Sequence, residues 1–365
     1  MSIMSIKIGK HEIAHPIIQG GMGLGISWDK LAGNVSLNGC LGVISSVGTG
    51  YYENLKFAKK SLDGRPYQSE NFYSKEALFA IVRNARKICG DAPLGMNVMC
   101  AANDYERIVR DSCEAGIDII ISGAGLPTNL PEFTADFPDV ALVPIVSSAK
   151  ALKIIAKRWK QRYDRIPDAV VLEGPLSGGH QGFTYEQCGD PAFALDNLIP
   201  QVKAEISQWG SFPLFVAGGI WDKTDIDRVK SLGADGVQMG TRFIGTFECD
   251  AAEEFKQVLL NAKKEDIELL KSPVGYPARG IHTNLQDMIA AGTAPKIRCI
   301  SNCVSPCERG KGANAVGYCI ADRLSDAYLG KTQSGLFFTG ANGWRLNEII
   351  SVKELIEKLI NGEDS

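Results

Sequence analysis

The chain has 365 residues, which is enough for one large α/β domain with insertions, and its formal net charge is −3. That balance supplies no global field for holding polyphosphate, so nucleic acid is not an expected partner. The apolar runs are strand-length and broken by glycine, and the opening Met-Ser-Ile-Met-Ser-Ile-Lys lacks the apolar stretch of a signal peptide. No membrane is expected, and a cytoplasmic setting is. Ten cysteines in a reducing compartment argue against a disulfide framework and direct attention to metal or catalysis.

In chain order, short apolar runs with strand character lie at Pro16 to Gln19, Leu41 to Ser45, Pro93 to Asn97, Ile117 to Ser122, Val140 to Val146, Ala169 to Glu173, Pro213 to Ala217 and Gly236 to Met239. Helical patterns separate them, among them Ser74 to Cys89, Asp104 to Glu114, Ala149 to Trp159 and Lys223 to Leu232, and Ser74 is placed to cap the first. Eight such units predict a (β/α)8 barrel; a doubly wound open sheet is the alternative. Two surpluses, Val47 to Ser74 and Phe247 to Ile349, leave strand C-terminal ends, where barrel sites are built, and are expected to form lid and substrate wall. The expected division is a barrel core over 1–248, a cysteine-rich extension over 249–349 and a helix over 350–365 that docks back.

The strand ending in Glu173 runs into Gly-Pro-Leu-Ser-Gly-Gly-His-Gln, which delivers His180 to a strand end behind Gly178 and Gly179. A lone histidine is more often a core or surface residue, but none of the other three, His11, His15 and His282, follows a strand so closely. His282 lies in a loop without an evident partner. His180 is therefore the expected acid/base. Other strand ends are glycine-bearing as well: Gln19-Gly20-Gly21-Met22-Gly23, Gly95-Met96-Asn97, Ser122-Gly123, Ala217-Gly218-Gly219 and Gly240-Thr241. Such ends expose amides to a flat ligand, and the last two occupy the usual barrel phosphate site, so a phosphorylated cofactor is expected.

Four cysteines form Cys299-x3-Cys303-x3-Cys307-x11-Cys319, a spacing that suits a tetrahedral metal or an iron-sulfur cluster and does not choose between them. Cys249 is an alternative to one of them, Cys299 first. Cys40, Cys89, Cys100 and Cys113 read as small buried hydrophobes, and Cys188 stands apart. The basic run from Lys157 to Arg165 reads as solvated charge at a helix C-terminus.

Pro16-Ile-Ile-Gln-Gly-Gly-Met-Gly23, Gly178-Gly-His180, Ala217-Gly-Gly219 and Gly240-Thr-Arg-Phe243 together resemble the nitronate monooxygenase superfamily, which includes the FMN-dependent enoyl-acyl-carrier-protein reductases. The resemblance implies an FMN-binding (β/α)8 barrel with His180 catalytic. It implies FMN contacts at Gln19, Gly20, Gly21, Met22, Asn97, Ser122, Glu173, Gly178, Gly179, Ala217, Gly218, Gly219, Gln238, Gly240 and Thr241. Glu173 to Phe183, Ser272-Pro-Val-Gly-Tyr-Pro-Ala-Arg279, Phe338-Thr-Gly-Ala-Asn342 and the four cysteines resemble its flavin and [4Fe-4S] branch, the FabX-type acyl-ACP dehydrogenase/isomerases of unsaturated fatty acid synthesis.

That likeness implies a [4Fe-4S] cluster on Cys299, Cys303, Cys307 and Cys319 and a medium-chain acyl group, decanoyl, carried by acyl carrier protein. An electron acceptor, oxygen or a redox protein, is implied as well; the assembly is left open, with a homodimer one option. Arg309 and Lys311 are candidate contacts for acidic ACP. Three rivals remain: a nitronate monooxygenase, an NAD(P)H-dependent enoyl reductase, and a non-catalytic cluster-bearing or zinc-stabilised binding protein.

Overall fold

Near-continuous apolar runs in short strands decide the architecture, because they give each strand two apolar faces to bury. The computed structural model describes residues 5–52, 72–297, 303–307 and 316–362. A hairpin of β1 (Ile6–Ile8) and β2 (His11–Ile13) comes first. Then follow β3 (Ile17–Gln19), β4 (Gly42–Ser45), β5 (Leu94–Met99), β6 (Ile119–Gly123), β7 (Ala141–Val146) and β8 (Val170–Glu173). After the two-residue β9 (Gly179–His180) come β10 (Leu214–Ala217) and β11 (Gly236–Met239). The eight-stranded sheet runs β3-β11-β10-β8-β7-β6-β5-β4, all parallel, and its two ends meet where Ile18 bridges Leu41. The fold is a (β/α)8 barrel.

Ile18, Val43, Ile119, Ile121, Val143, Val171 and Phe215 fill the interior, and Ile8 and Ile13 of the hairpin join them. The alternate positions, Ile17, Ile44, Ile120, Leu142, Val170, Leu172 and Val216, face the helical layer instead. That layer comprises α1 (Asp29–Leu37), α2 (Lys75–Cys89), α3 (Tyr105–Glu114), α4 (Leu130–Phe133), α5 (Ala149–Tyr163), α6 (Tyr185–Gly189), α7 (Leu195–Ile206) and α8 (Lys223–Ser231). The Ser74 side chain accepts a hydrogen bond from the Ala77 amide at 3.2 Å, which caps α2 as its sequence predicts.

Past β11 the chain forms the four-residue α9 (Thr241–Ile244), then α10 (Glu253–Asn261), β12 (Ile267–Leu270), β13 (Ala278–Ile281), α11 (Asn284–Ala290), α12 (Ile320–Tyr328) and α13 (Val352–Asn361). β13 pairs antiparallel with β12 on one side and with β9 on the other, which sets Ala278 opposite His180. A small second sheet thus locks the extension onto the loop that carries the histidine. No helix among the described residues is long and apolar enough to cross a membrane.

Candidate active site

Strand parity explains what lines the barrel mouth. On β5, β8 and β11 the inward-facing positions continue past the apolar layers to Asn97, Glu173 and Gln238, so the floor of the mouth is polar. Burial pushes the Glu173 carboxyl up to about 7, against a Ser177 hydrogen bond that favours the carboxylate. The Gln238 side chain lies under Gly20, and its Oε1 is buried without a hydrogen-bond partner. An orphaned buried acceptor costs free energy, so this one points to a donor that a bound ligand supplies.

Two loops frame the floor. Gly218 and Gly219, directly after β10, have φ of 99° and 80°, which glycine adopts without strain. A Cβ on Gly218 would lie 2.8 Å from the Gly174 carbonyl oxygen, so the close loop packing itself requires glycine there. Gly240 and Thr241 lie at the start of α9, whose single turn is too short for much dipole, so loop amides are what an anion would meet. The extension ties these loops together. The Gly340 amide donates to Thr241 Oγ1 at 2.8 Å, the Ala341 amide to the Leu176 carbonyl at 3.0 Å, and Asn342 Nδ2 to the Gly219 carbonyl at 2.8 Å.

His180 stands at the edge of this mouth. Its Nε2 lies 2.7 Å from Ser272 Oγ, and its ring meets Phe338 edge-on at 5.4 Å. Burial alone holds the imidazole well below its usual range, at about 4, so at neutral pH it is uncharged, with one ring nitrogen free to accept a proton. Gly178 packs so tightly under Thr339 and Gly340 that a Cβ would come within 2.7 Å of both backbones, and Gly179 has φ 70°. Both glycines therefore serve the turn that places the histidine. On the segments next to it, Leu176 and Tyr185 in the chain on either side and Tyr276 two residues before the β13 residue it faces leave large apolar surfaces in solvent.

At two of the expected contacts the side chain is hydrogen-bonded within the barrel. The carboxamide of Gln19 accepts from the Val43 amide at 3.1 Å and donates to the Gly20 carbonyl, across the barrel seam. The Ser122 side chain follows the outward parity of Ile120: its hydroxyl donates to the Val98 carbonyl at 2.9 Å and lies 2.7 Å from Tyr105 OH, on the helical side of the sheet. Met22 and Gly21 stay at the mouth, where a Cβ on Gly21 would overlap Asn97 and one on Gly240 would touch Met22. The sequence reading did not single out Ser272, Arg279, Tyr318 or Asn342 for roles of their own. Arg279 is buried on β13, with Nη2 donating to the Pro175 carbonyl at 2.9 Å. Such residues become legible only once β13 is seen to pair with β9.

Of the four cysteines, Cys299 lies outside the described residues, as do Arg309 and Lys311. Cys303 and Cys319 share one buried cluster with Leu24, Tyr51 and Phe72; burial pushes the Cys319 thiol up to about 11, and the nearby Cys303 adds to the cost of ionising it. Their loop bridges the end of β5 through Ala102 and Val304. Cys307 follows on the same loop, half-buried. Two gathered thiols fit part of a ligand set, although among the described residues no three His, Cys, Asp or Glu groups are arranged to hold a metal. Cys249 lies in a different core cluster, where its thiol donates to the Ile26 carbonyl. His282 does have partners, Glu268 at 2.7 Å and Asp287 at 3.0 Å. It borders a cavity of about 370 Å³ under α10 that shares no lining residue with the mouth.

A family model described as nitronate monooxygenase matches residues 4–362. The chain belongs to the nitronate monooxygenase family. It is 29% identical over 284 residues to a probable nitronate monooxygenase of Bacillus subtilis, covering 74% of this chain and 78% of that one. A probable nitronate monooxygenase of Staphylococcus saprophyticus is 26% identical over 297 residues, covering 77% and 79%. Among solved structures, FabK from Thermotoga maritima superposes with a TM-score of 0.70 at 23% identity, covering 96% of this chain and 93% of that one. A nitroalkane oxidase from Streptomyces ansochromogenes gives 0.67 at 20% identity, covering 95% of each. At such identities these structures speak for the fold. Family membership makes the protein a flavin-dependent oxidoreductase with FMN as its cofactor. The residues fit that group: a polar floor with an orphaned acceptor at Gln238, and close-approach glycines at 218 and 219.

Proposed function

We propose that the protein dehydrogenates a saturated medium-chain acyl group on acyl carrier protein, decanoyl by the sequence resemblance, to the trans-2-enoyl thioester, and then isomerises that to the cis-3 form. The observation that carries this reading is a desolvated, neutral His180 on a lip where Leu176, Tyr185 and Tyr276 expose apolar surface. A thioester chain needs such a surface and a small nitronate does not. Dehydrogenation removes a proton from the α-carbon, which passes to solvent, and a hydride from the β-carbon, for which FMN, when bound, would supply the acceptor. Isomerisation involves no net redox. His180 takes a proton from the γ-carbon and returns it to the α-carbon, a task for a base that is neutral at working pH.

A [4Fe-4S] cluster on Cys299, Cys303, Cys307 and Cys319 belongs to the same proposal, supported by the gathering of Cys303 and Cys319. Electrons leave to oxygen or a redox protein, in the cytoplasm, and a homodimer is compatible with the reading. The second reading, nitronate monooxygenase, is favoured by the family model and by the names of the relatives.

An anaerobic absorption spectrum of the purified protein separates them. Loss of the flavin band on adding decanoyl-ACP without nicotinamide is the expected result. Bleaching only by NAD(P)H would make the protein a reductase, and turnover only of a nitronate with oxygen would make it a monooxygenase. His180→Ala is expected to retain FMN and lose the cis-3 product; continued formation of that product would remove His180 from the reaction.

A further inference from the structure

α5 carries six basic residues and no acidic one, and its two halves use that charge differently. In the second half the charge is engaged. Lys160 pairs with Asp164, and Arg158 Nη2 donates to Asn129 Oδ1 at 3.1 Å, while the cations of the last turn complement the helix C-terminus. In the first half it is not. Lys150, Lys153 and Lys157 are exposed and make no ion pair or hydrogen bond among the described residues.

Nothing in the helix itself accounts for those three. Lys150 stands in the first turn, where the dipole favours an anion, and Lys153 and Lys157 are four residues apart, where like charges repel. Helical spacing puts all three on one arc together with Ile154, which is 41% exposed, opposite the buried stripe of Leu152, Ile155, Ala156 and Trp159. The arc is thus an apolar side chain set among three unpaired cations, about 10 Å long from Lys150 to Lys157.

This face lies beside the histidine loop. α5 follows β7, so its first turns stand at the strand C-terminal end of the barrel, where the mouth opens. Ser148 caps the helix by accepting from the Ala151 amide at 3.2 Å, and Ser147 before it packs on the loop that carries His180: a Cβ on Gly182 would lie 3.1 Å from Ser147 Cβ. The acidic side chains of the flanking helices are drawn elsewhere. Glu132 on α4 accepts from Tyr163 OH at 3.0 Å, and Asp196 on α7 pairs with Arg228.

We infer that the face of α5 formed by Lys150, Lys153, Ile154 and Lys157 is the docking site of the carrier that delivers the acyl chain, an acidic protein surface whose thioester arm passes by Ser147 and Gly182 to His180. This rests on the acyl-carrier reading of the proposed function. The occupant is argued from charge: cations around one apolar group match carboxylates around an apolar patch, and a folded carrier rests on the rim of a mouth that its arm alone enters. With the whole chain at −3, the attraction belongs to this face and not to a general field.

The test is fluorescence anisotropy of labelled holo-ACP, which carries the arm without an acyl chain, titrated with the FMN-loaded full chain at low and high salt. Wild type is expected to bind more weakly as salt rises. The double variant Lys150→Glu/Lys153→Glu should raise Kd about tenfold or more at low salt, and Lys150→Arg/Lys153→Arg should bind like wild type. Lys353→Glu, an exposed lysine on α13, is the control and should change nothing. Decanoyl-pantetheine, a thioester without the protein, should bleach the flavin equally in wild type and in the double variant, which shows that the fold and the mouth are intact.

A double variant that bound holo-ACP like wild type, or a Lys353→Glu loss of the same size, would overturn the inference. So would wild type that bound anionic phosphatidylglycerol vesicles through these lysines and no holo-ACP. If neither decanoyl-ACP nor decanoyl-pantetheine bleached the flavin while holo-ACP still bound through Lys150 and Lys153, the reaction would fall and the docking face would stand. If decanoyl-ACP were dehydrogenated while the double variant bound normally, the docking face would fall and the reaction would stand.

Discussion

His180 and Glu173 sit a short loop apart, and burial moves them in opposite senses: the imidazole down to about 4 and the carboxyl up to about 7. Each is thereby kept neutral over much of the acidic range, but their linkage to stability has opposite signs. For His180 the unfolded chain takes the proton first, near 6.5, so folding stability is fully present above that pH and is lost as pH falls toward 4. For Glu173 the folded state holds the proton longer, so its presence costs nothing below about 4.5 and destabilises increasingly as pH rises through 7. Both groups are partly exposed, which reduces each effect to about 1–2 kcal/mol. At matched FMN content, His180→Gln should therefore lose less stability than wild type between pH 7 and pH 4.5. Glu173→Gln should raise the urea midpoint at pH 8 and leave it unchanged at pH 4. Parallel shifts of all three proteins across this range would show that neither group is desolvated in solution.

At the scale of elements, the eight barrel strands were legible because each is a compact β-branched run bounded by Gly, Pro or Asp, and each lies within two residues of its predicted end. One cap was legible too: Ser74 accepts from the amide three residues on. The small sheet was not. β9 is only Gly179–His180, and Ala278–Ile281 contains an arginine and a glycine, so neither has a pattern that stands out before the two are seen paired. The side-chain partners of Ser122 and Gln19 were hidden for a related reason: residue type marks them as polar strand ends, but the parity of the strand and the barrel seam decide where a side chain goes.

The turn after β10 offers an element-level test. Gly218 needs a positive φ, and any Cβ would press on the Gly174 carbonyl and the Ser177 amide, which lead into the histidine loop. Gly218→Ala should cost about 1–3 kcal/mol and weaken FMN binding by tenfold or more, read from urea unfolding and flavin fluorescence. Unchanged flavin affinity in a folded variant would take this turn out of the cofactor site.

At the scale of the whole molecule, the question is whether the extension folds with the barrel or beside it. β13 pairs with β9, Gly340 and Asn342 bind loops of the barrel mouth, and Thr246 bridges Ile350. The last helix, α13, buries Val352, Leu355, Ile356 and Leu359, a stripe at 3.6-residue spacing, and packs against α1 and α8, the first and last barrel helices. α1 follows β3 and α8 precedes β11, the strand that pairs with β3, so α13 fills the helical ring between them as a brace from outside. With contacts distributed in this way, no part of the chain should unfold alone. Leu355→Ala, which leaves a cavity in that brace, is expected to cost about 2–4 kcal/mol and to lower the midpoint of a single transition. Trp159 on α5 and Trp344 in the extension provide separate probes. Two variants that each keep one of these and replace the other four of the five tryptophans by Phe isolate the two signals, and both curves should coincide with far-UV circular dichroism and flavin release. If the Trp344 signal moved at lower urea than the Trp159 signal, the 249–349 segment would be a separately folding unit, and the wall around His180 could open without the barrel.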